Sequence, residues 1–290
     1  MTTSRQIGVV GVGLMGHGIA SSLLRAGYQV CFLEHPGNQP VDDLVAAGAS
    51  ALSSGREVAQ SAEVVILCVT GSPQVEAVLF EPNGVLEGLV PGSVIVDCST
   101  ALPSSTEKVA VRVTEAGGRF MDAAMTRTPK EAAEGRLNLI VGAPKALFDE
   151  MLPLLQGFAE NIAYAGEVGA GHTLKLLHNF VSLGFSAVLA EATAASRKAG
   201  ISDNALLDVL GAGGGGGGVL ERLRPYIADN DPSGFRFTIA NASKDLGYYH
   251  TMTHDLAVEG GIAKVVRDLY QSVEDQQLSI PELIGVLERR

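Results

Sequence analysis

The chain has 290 residues, 46% hydrophobic and 18% charged, with 35 glycines, no tryptophan and a formal net charge of −11. That length exceeds one ordinary hydrophobic core, so two domains are expected, and the apolar content excludes a disordered chain. The acidic balance, with no run of Lys or Arg, argues against a nucleic-acid partner.

Met1-Thr2-Thr3-Ser4-Arg5 leads straight into a strand-like run, with no charged, apolar and small-residue leader pattern. No continuous apolar run reaches membrane-spanning length, so a cytoplasmic protein without a membrane partner is expected. Cys31, Cys68 and Cys98 each fall in or at the end of an apolar run and never pair at short spacing, which predicts buried thiols and no metal site.

Ile7-Gly8-Val9-Val10 reads as a strand ending at Gly11-Val12-Gly13-Leu14-Met15-Gly16, with a helix over 15–26 behind it. In such a strand, glycine turn and helix, the first glycine permits the turn and the second lets backbone approach a pyrophosphate. The third allows close packing, and the helix amino terminus offers free amides to the phosphates. A second strand, Gln29-Val30-Cys31-Phe32-Leu33, ends at Glu34, at the spacing where an acid takes the ribose hydroxyls. A carboxylate there favours NAD and repels the extra phosphate of NADP; His35 and Pro36 stand where a phosphate-binding arginine would be. NAD is the expected cofactor, with NADP possible.

The runs 63–69 and 93–98 read as buried parallel strands because their apolar residues are continuous instead of alternating. Val69 closes one, followed by Thr70, Gly71 and Ser72, and Ser99 and Thr100 follow the other, at strand carboxyl ends, where open doubly wound sheets bind ligands. Further strands are expected at 117–122 and 137–141. Between them Thr128-Pro129-Lys130-Glu131 has capping-box spacing, so Arg127 precedes a helix amino terminus. Guanidinium, amides and positive dipole end together form a candidate receptor for a small oxyanion, beside the plainer reading of a surface arginine next to a cap.

Residues 170–199 predict one long helix closed by Gly200. Leu174, Leu177, Val181, Phe185 and Val188 form one apolar stripe and Leu176, Phe180, Leu183, Ala187 and Ala190 another, so both are expected to be buried. His172, Lys175, His178, Asn179 and Ser182 occupy the remaining stripe. Lys175, flanked by apolar walls, is the candidate acid/base; a solvated stripe with Lys175 snorkelling is the alternative. The remainder alternates helical stretches with glycine or proline breaks, predicting an all-helical second domain. The glycine run 213–218 lacks the Lys and Ser/Thr of a phosphate loop and reads as a helix junction. His250 and His254 have helical metal-pair spacing without a third ligand, and a structural role is expected.

The order of these features resembles the β-hydroxyacid dehydrogenase family over nearly the whole chain. Residues 11–20 resemble its cofactor signature, Val96-Asp97-Cys98-Ser99-Thr100 its nicotinamide-side strand end, Gly169-Ala170-Gly171 through Lys175 and Asn179 its catalytic helix, and Lys244-Asp245-Leu246 its late K-D-L motif. The resemblance implies Lys175 as general acid/base, Asn179 as a substrate-orienting amide, Thr100 and Lys244 beside cofactor and substrate, and Thr126, Arg127 and Thr128 as the substrate loop. His178 stands where the family has a first asparagine, and Asp122-Ala123-Ala124-Met125-Thr126-Arg127-Thr128 replaces its D-x-P-V-S-G-G loop. The Arg-Thr pair resembles the sulfolactaldehyde reductase branch, in which the arginine holds the substrate's anionic head.

The expected fold is thus α/β, a Rossmann domain over 1–163 and a helical domain over 164–290 joined by the long helix, with the active site in the cleft between them. The expected activity is hydride transfer between NAD and a short anionic 3- or 4-hydroxy acid, its semialdehyde or a sulfonate analogue, by a homo-oligomer. An imine reductase of the same architecture, or a nucleotide-sensing or chromatin-reader protein without catalysis, shares the fold signals.

Overall fold

The computed structural model describes residues 6–290. They form two compact units that divide after Lys175.

The first unit alternates strands and helices. In chain order these are β1 (Gln6–Val10), α1 (Leu14–Arg25), β2 (Gln29–Leu33), α2 (Asp42–Ala46), β3 (Ser50–Leu52), α3 (Gly55–Ser61), β4 (Val64–Leu67), α4 (Ser72–Phe80) and α5 (Val85–Gly88). There follow β5 (Val94–Asp97), α6 (Pro103–Glu115), β6 (Arg119–Thr126), α7 (Pro129–Glu134), β7 (Leu137–Gly142), α8 (Lys145–Leu155), β8 (Ala159–Gly166) and the start of α9 (Ala170–Lys198). The strands make one eight-stranded sheet in the order β3-β2-β1-β4-β5-β6-β7-β8. Every neighbour pair is parallel except β6 with β7.

Continuous apolar strands arise because successive side chains feed opposite cores. Ile7, Val9, Val64, Ile66, Val94 and Val96 enter one core with Ile19 and Leu23 of α1 and Met151 of α8. Their neighbours Val10, Val65, Leu67 and Ile95 enter the other, with Val58 of α3, Leu79 of α4 and Val109 of α6. The sheet is therefore covered on both faces, and its ligand-binding end lies at the strand carboxyl termini.

The second unit contains the rest of α9 with α10 (Asp203–Ala212), α11 (Gly218–Asp229), α12 (Ile239–Asp255), α13 (Gly261–Gln271), α14 (Leu283–Arg289) and two short 3-10 turns, Pro232–Phe235 and Ile280–Glu282. The glycine run is the turn between α10 and α11, as its composition predicted. Leu183, Ala187 and Ala190 of α9 pack into a core with Leu220, Leu223, Ile239, Leu246 and Tyr270. At the carboxyl end of α9, Arg197 donates to Asp203, Glu288 and the Ile227 carbonyl, so one guanidinium ties together α10, α11 and α14.

Helix α9 departs from the sequence expectation in which faces it buries. Leu174, Leu177, Val181 and Val188 are exposed, whereas His172, Lys175 and Asn179 from the polar stripe are buried. The polar stripe tolerates burial because its groups meet fixed partners, while of the apolar stripe Phe185 alone packs against the second unit's core. Among the described residues α9 is also the one helix long and apolar enough to cross a membrane by length and composition. Polar Ser186 and Thr193, buried in the same helix, bond back to the Ser182 and Leu189 carbonyls.

Candidate active site

The turn between β1 and α1 has the geometry its glycines predicted. Gly11 has φ of +95°, and a Cβ there would sit 2.3 Å from the Cys68 carbonyl oxygen. A Cβ on Gly16 would sit 1.9 Å from the Gly11 carbonyl oxygen, so the helix can approach the turn only without a side chain. Gly13 differs: a Cβ there meets nothing within 4 Å, and as the N-cap of a twelve-residue helix it offers no side-chain cap to the first amides. Open space in front of uncapped amides at a helix N-terminus suits a pyrophosphate, so the residues present fit a dinucleotide. Leu14, next in sequence, is exposed despite its size, and Met15 is half-buried.

Glu34 is exposed immediately after β2, and its amide donates to the Leu52 carbonyl at 2.8 Å. Asn38 fastens this segment to the glycine turn: its amide nitrogen donates to the Leu33 carbonyl at 2.9 Å and its oxygen accepts from the Val12 amide at 3.3 Å. Sequence reading missed Asn38, because its partners lie on two different strand ends. The ends of β4 and β5 are joined the same way. The Val69 amide donates to Ser99 Oγ at 3.1 Å and the Leu102 amide to Ser72 Oγ at 2.8 Å, leaving Thr70 exposed and Thr100 half-buried at the sheet's carboxyl edge.

The capping box exists: the Glu131 carboxylate reaches back to the Thr128 amide at 3.0 Å. Helix α7 has only six residues, however, so its dipole adds little to an anion site. Arg127 donates through Nη1 to both the Glu160 carboxylate and the Arg136 carbonyl, and the ion pair with Arg127 holds the Glu160 carboxyl below its usual range. Its φ of +80° places a non-glycine residue in the left-handed region. Thr126 accepts from Asn138 Nδ2 at 3.1 Å. Thr126, Arg127 and Thr128 thus lie side by side, with the arginine paired to Glu160 at the surface.

The start of α9 is held from the sheet. Asp122 on β6, wholly buried, accepts the Gly169 amide at 2.7 Å and the His172 amide at 2.8 Å. Gly142, its cross-strand partner, makes room: a Cβ there would lie 2.6 Å from Asp122 Oδ1. Lys175 follows within the next turn and is buried. In the second unit Asn179 Nδ2 donates to Asp245 Oδ2 at 2.6 Å, and Asn179 Oδ1 lies 3.0 Å from His178 Nδ1. Lys244 pairs with Asp245 at 2.8 Å, so the K-D-L aspartate orients both the amide and the lysine. Lys175 and Asn179 are four residues apart on one helix and share a face. Among the described residues no group of three or more His, Cys, Asp or Glu gathers as a metal site.

A doubly wound sheet with this glycine turn, followed by an all-helical unit, defines a nicotinamide-dinucleotide oxidoreductase. Residues 6–166 match the family model for the NAD-binding domain of 6-phosphogluconate dehydrogenase, and residues 169–280 that for the NAD-binding of NADP-dependent 3-hydroxyisobutyrate dehydrogenase. The chain is 31% identical to a NAD-dependent L-serine dehydrogenase of Pseudomonas aeruginosa over 92% of its own length and 91% of the relative's. It is 34% identical to a 2-hydroxy-3-oxopropionate reductase of Escherichia coli over 74% and 73% of the two chains. The solved Mycobacterium tuberculosis 3-hydroxyisobutyrate dehydrogenase with L-serine superposes with a TM-score of 0.88 at 24% identity, covering 98% of this chain and 99% of that one. This chain belongs to the β-hydroxyacid dehydrogenase family, and is an NAD(P)-dependent oxidoreductase acting on CH–OH groups.

Three buried carboxylates, Asp97, Asp122 and Asp245, received no role of their own from the sequence. For Asp97 and Asp122 the available signal was an acid inside or closing an otherwise apolar run, which is costly unless it is bonded.

Proposed function

We propose that the protein interconverts a short anionic 3- or 4-hydroxy acid, or its sulfonate analogue, and the corresponding semialdehyde by hydride exchange with NAD, with Lys175 as the general acid/base. The observation that carries this reading is a lysine buried on the first turns of α9, in a helix start anchored to the sheet's carboxyl edge by Asp122. A bound NADH would supply the hydride for the carbonyl carbon; in that direction Lys175 Nζ gives its proton to the developing alkoxide, and in oxidation Lys175 takes the hydroxyl proton. Asn179, oriented by Asp245, and His178 beside it hold the substrate, and Lys244 and Thr100 flank cofactor and substrate. Gly11, Gly13, Leu14, Met15, Gly16, Glu34, Val69 and Thr70 form the cofactor surface, with the Glu34 carboxylate favouring NAD.

Thr126, Arg127 and Thr128 take the substrate's acid group, Arg127 exchanging part of its internal pairing for it. The small-acid chemistry of the relatives' names, L-serine and 2-hydroxy-3-oxopropionate, is consistent with this. The exposed apolar stripe Leu174, Leu177, Val181 and Val188, with Ile262 and Val265 exposed on α13, supports a homo-oligomer in which these side chains are covered. A cytoplasmic location completes the reading.

The test is Lys175→Ala. Turnover should fall by about two orders of magnitude or more while fluorescence titration still shows NADH binding, tighter than NADPH. Near-normal turnover would end the assignment of Lys175, and tighter NADPH binding would end that of Glu34.

A further inference from the structure

His172 was expected on a polar stripe, yet its ring is wholly buried. Its Nδ1 lies 2.7 Å from Thr106 Oγ1 on α6, and its Nε2 lies 4.0 Å from Asp97 Oδ2 at the end of β5. Nε2 and Oδ2 have no hydrogen-bond partner among the described residues, and they face each other. Asp97 Oδ1 is used by the Ser99 amide at 2.9 Å, which shapes the turn leading to Thr100.

The proton positions follow from the acceptors. The Leu102 carbonyl already receives the Ser105 amide at 2.9 Å and the Thr106 amide at 3.0 Å, so the Thr106 hydroxyl, with its oxygen 3.2 Å from that carbonyl, gains little by donating there. With the Thr106 proton turned to His172 Nδ1, the ring proton sits on Nε2, which faces the Asp97 carboxylate at 4.0 Å, longer than a hydrogen bond. The result is an Asp97, His172, Thr106 array in the order carboxylate, imidazole, hydroxyl. Exposures of 1%, 0% and 2% seal it from any substrate, which rules Thr106 out as a nucleophile.

The array ties together the Ser99-Thr100 turn, helix α6 and the turn of α9 that begins at His172, three residues before Lys175. We propose that His172 is a positioning residue for hydride transfer, its imidazole fixing the spacing between the cofactor-side turn at Thr100 and the helical turn carrying Lys175. The proposal rests on the reading of Lys175 as acid/base.

Thr106→Val keeps the shape and deletes only the hydroxyl, and Thr106→Ser restores it. Thr106→Val should lose about tenfold or more in kcat, with KM and NADH affinity within about twofold of the parent, and Thr106→Ser should recover the parent kcat. Nitrogen-15 NMR of the histidine-labelled parent should show His172 as the Nε2–H tautomer, a readout that survives if a variant fails to fold. In a Lys175→Ala background Thr106→Val should cost no further turnover. Parent-like kcat in Thr106→Val, equal losses in the Val and Ser variants, an Nδ1–H tautomer, or the same tenfold loss without Lys175 would each overturn the proposal. Retained turnover in Lys175→Ala alone would instead sink the acid/base reading, so the two failures are distinguishable.

Discussion

Asp122 and His172 are joined by a hydrogen bond of 2.8 Å from the His172 amide to the Asp122 carboxylate, across 50 residues of sequence. The carboxylate serves as the N-terminal acceptor that the helix's own sequence, Gly169-Ala170-Gly171, does not supply. Burial pushes the Asp122 carboxyl above its usual pKa, while the hydrogen bonds from the Gly169 and His172 amides pull it back. An acid raised in the folded state binds its proton more tightly than in the unfolded chain. Its contribution to stability is complete below the unfolded value and is lost as pH rises through the folded one. Asp122→Asn should turn an NH2 donor toward one of the two amides and cost about 1–3 kcal/mol at neutral pH. Urea unfolding of the variant should lack the parent's loss of stability just above the ordinary carboxyl range. A variant as stable as the parent at pH 7 would contradict the anchoring role.

Gly13 and Gly16 separate folding from cofactor binding. Gly13→Ala places its methyl in open space and should leave the melting temperature within a few degrees while weakening NADH binding. Gly16→Ala forces its methyl onto the Gly11 carbonyl and should lower stability by about 1–3 kcal/mol as well. Calorimetry with NADH titration checks both; unchanged NADH affinity in Gly13→Ala would remove the pyrophosphate from this turn.

Arg127 should matter for substrate and little for cofactor. Arg127→Gly removes the guanidinium and suits the left-handed backbone, so stability should hold. The Michaelis constant for acidic substrates should rise by roughly 2 kcal/mol in free energy, with NADH affinity preserved. Equal handling of acidic and neutral substrates by parent and variant would leave Arg127 as the partner of Glu160 only.

The three thiols should be unreactive in the native protein. Burial raises the Cys31 and Cys98 thiols, and burial with the nearby Asp97 charge pushes Cys68 up to about 12. The Cys68 thiolate fraction at pH 8 is then roughly one in ten thousand. A disulfide reagent at pH 8 should titrate them only as the protein unfolds. Rapid stoichiometric reaction of the folded chain would show that the strand ends open.

Much of this protein was set by local rules. Continuous apolar runs gave strands buried on both faces, Gly11, Gly13 and Gly16 the turn, Thr128 to Glu131 the cap, and residues 170–199 the long helix, because each depends on neighbours a few residues apart. The tertiary structure decided which stripe of α9 is buried. Lys175, His172 and Asn179 lie inside because Thr106 and Asp245 wait for the latter two, 66 residues away in each direction. It also placed Asp97 and Asp122 under the helix start and gave Arg127 to Glu160. A hydrogen bond between distant segments leaves no period in the sequence, so the groups that hold the first turns of α9 could be seen only once the sheet had brought them together.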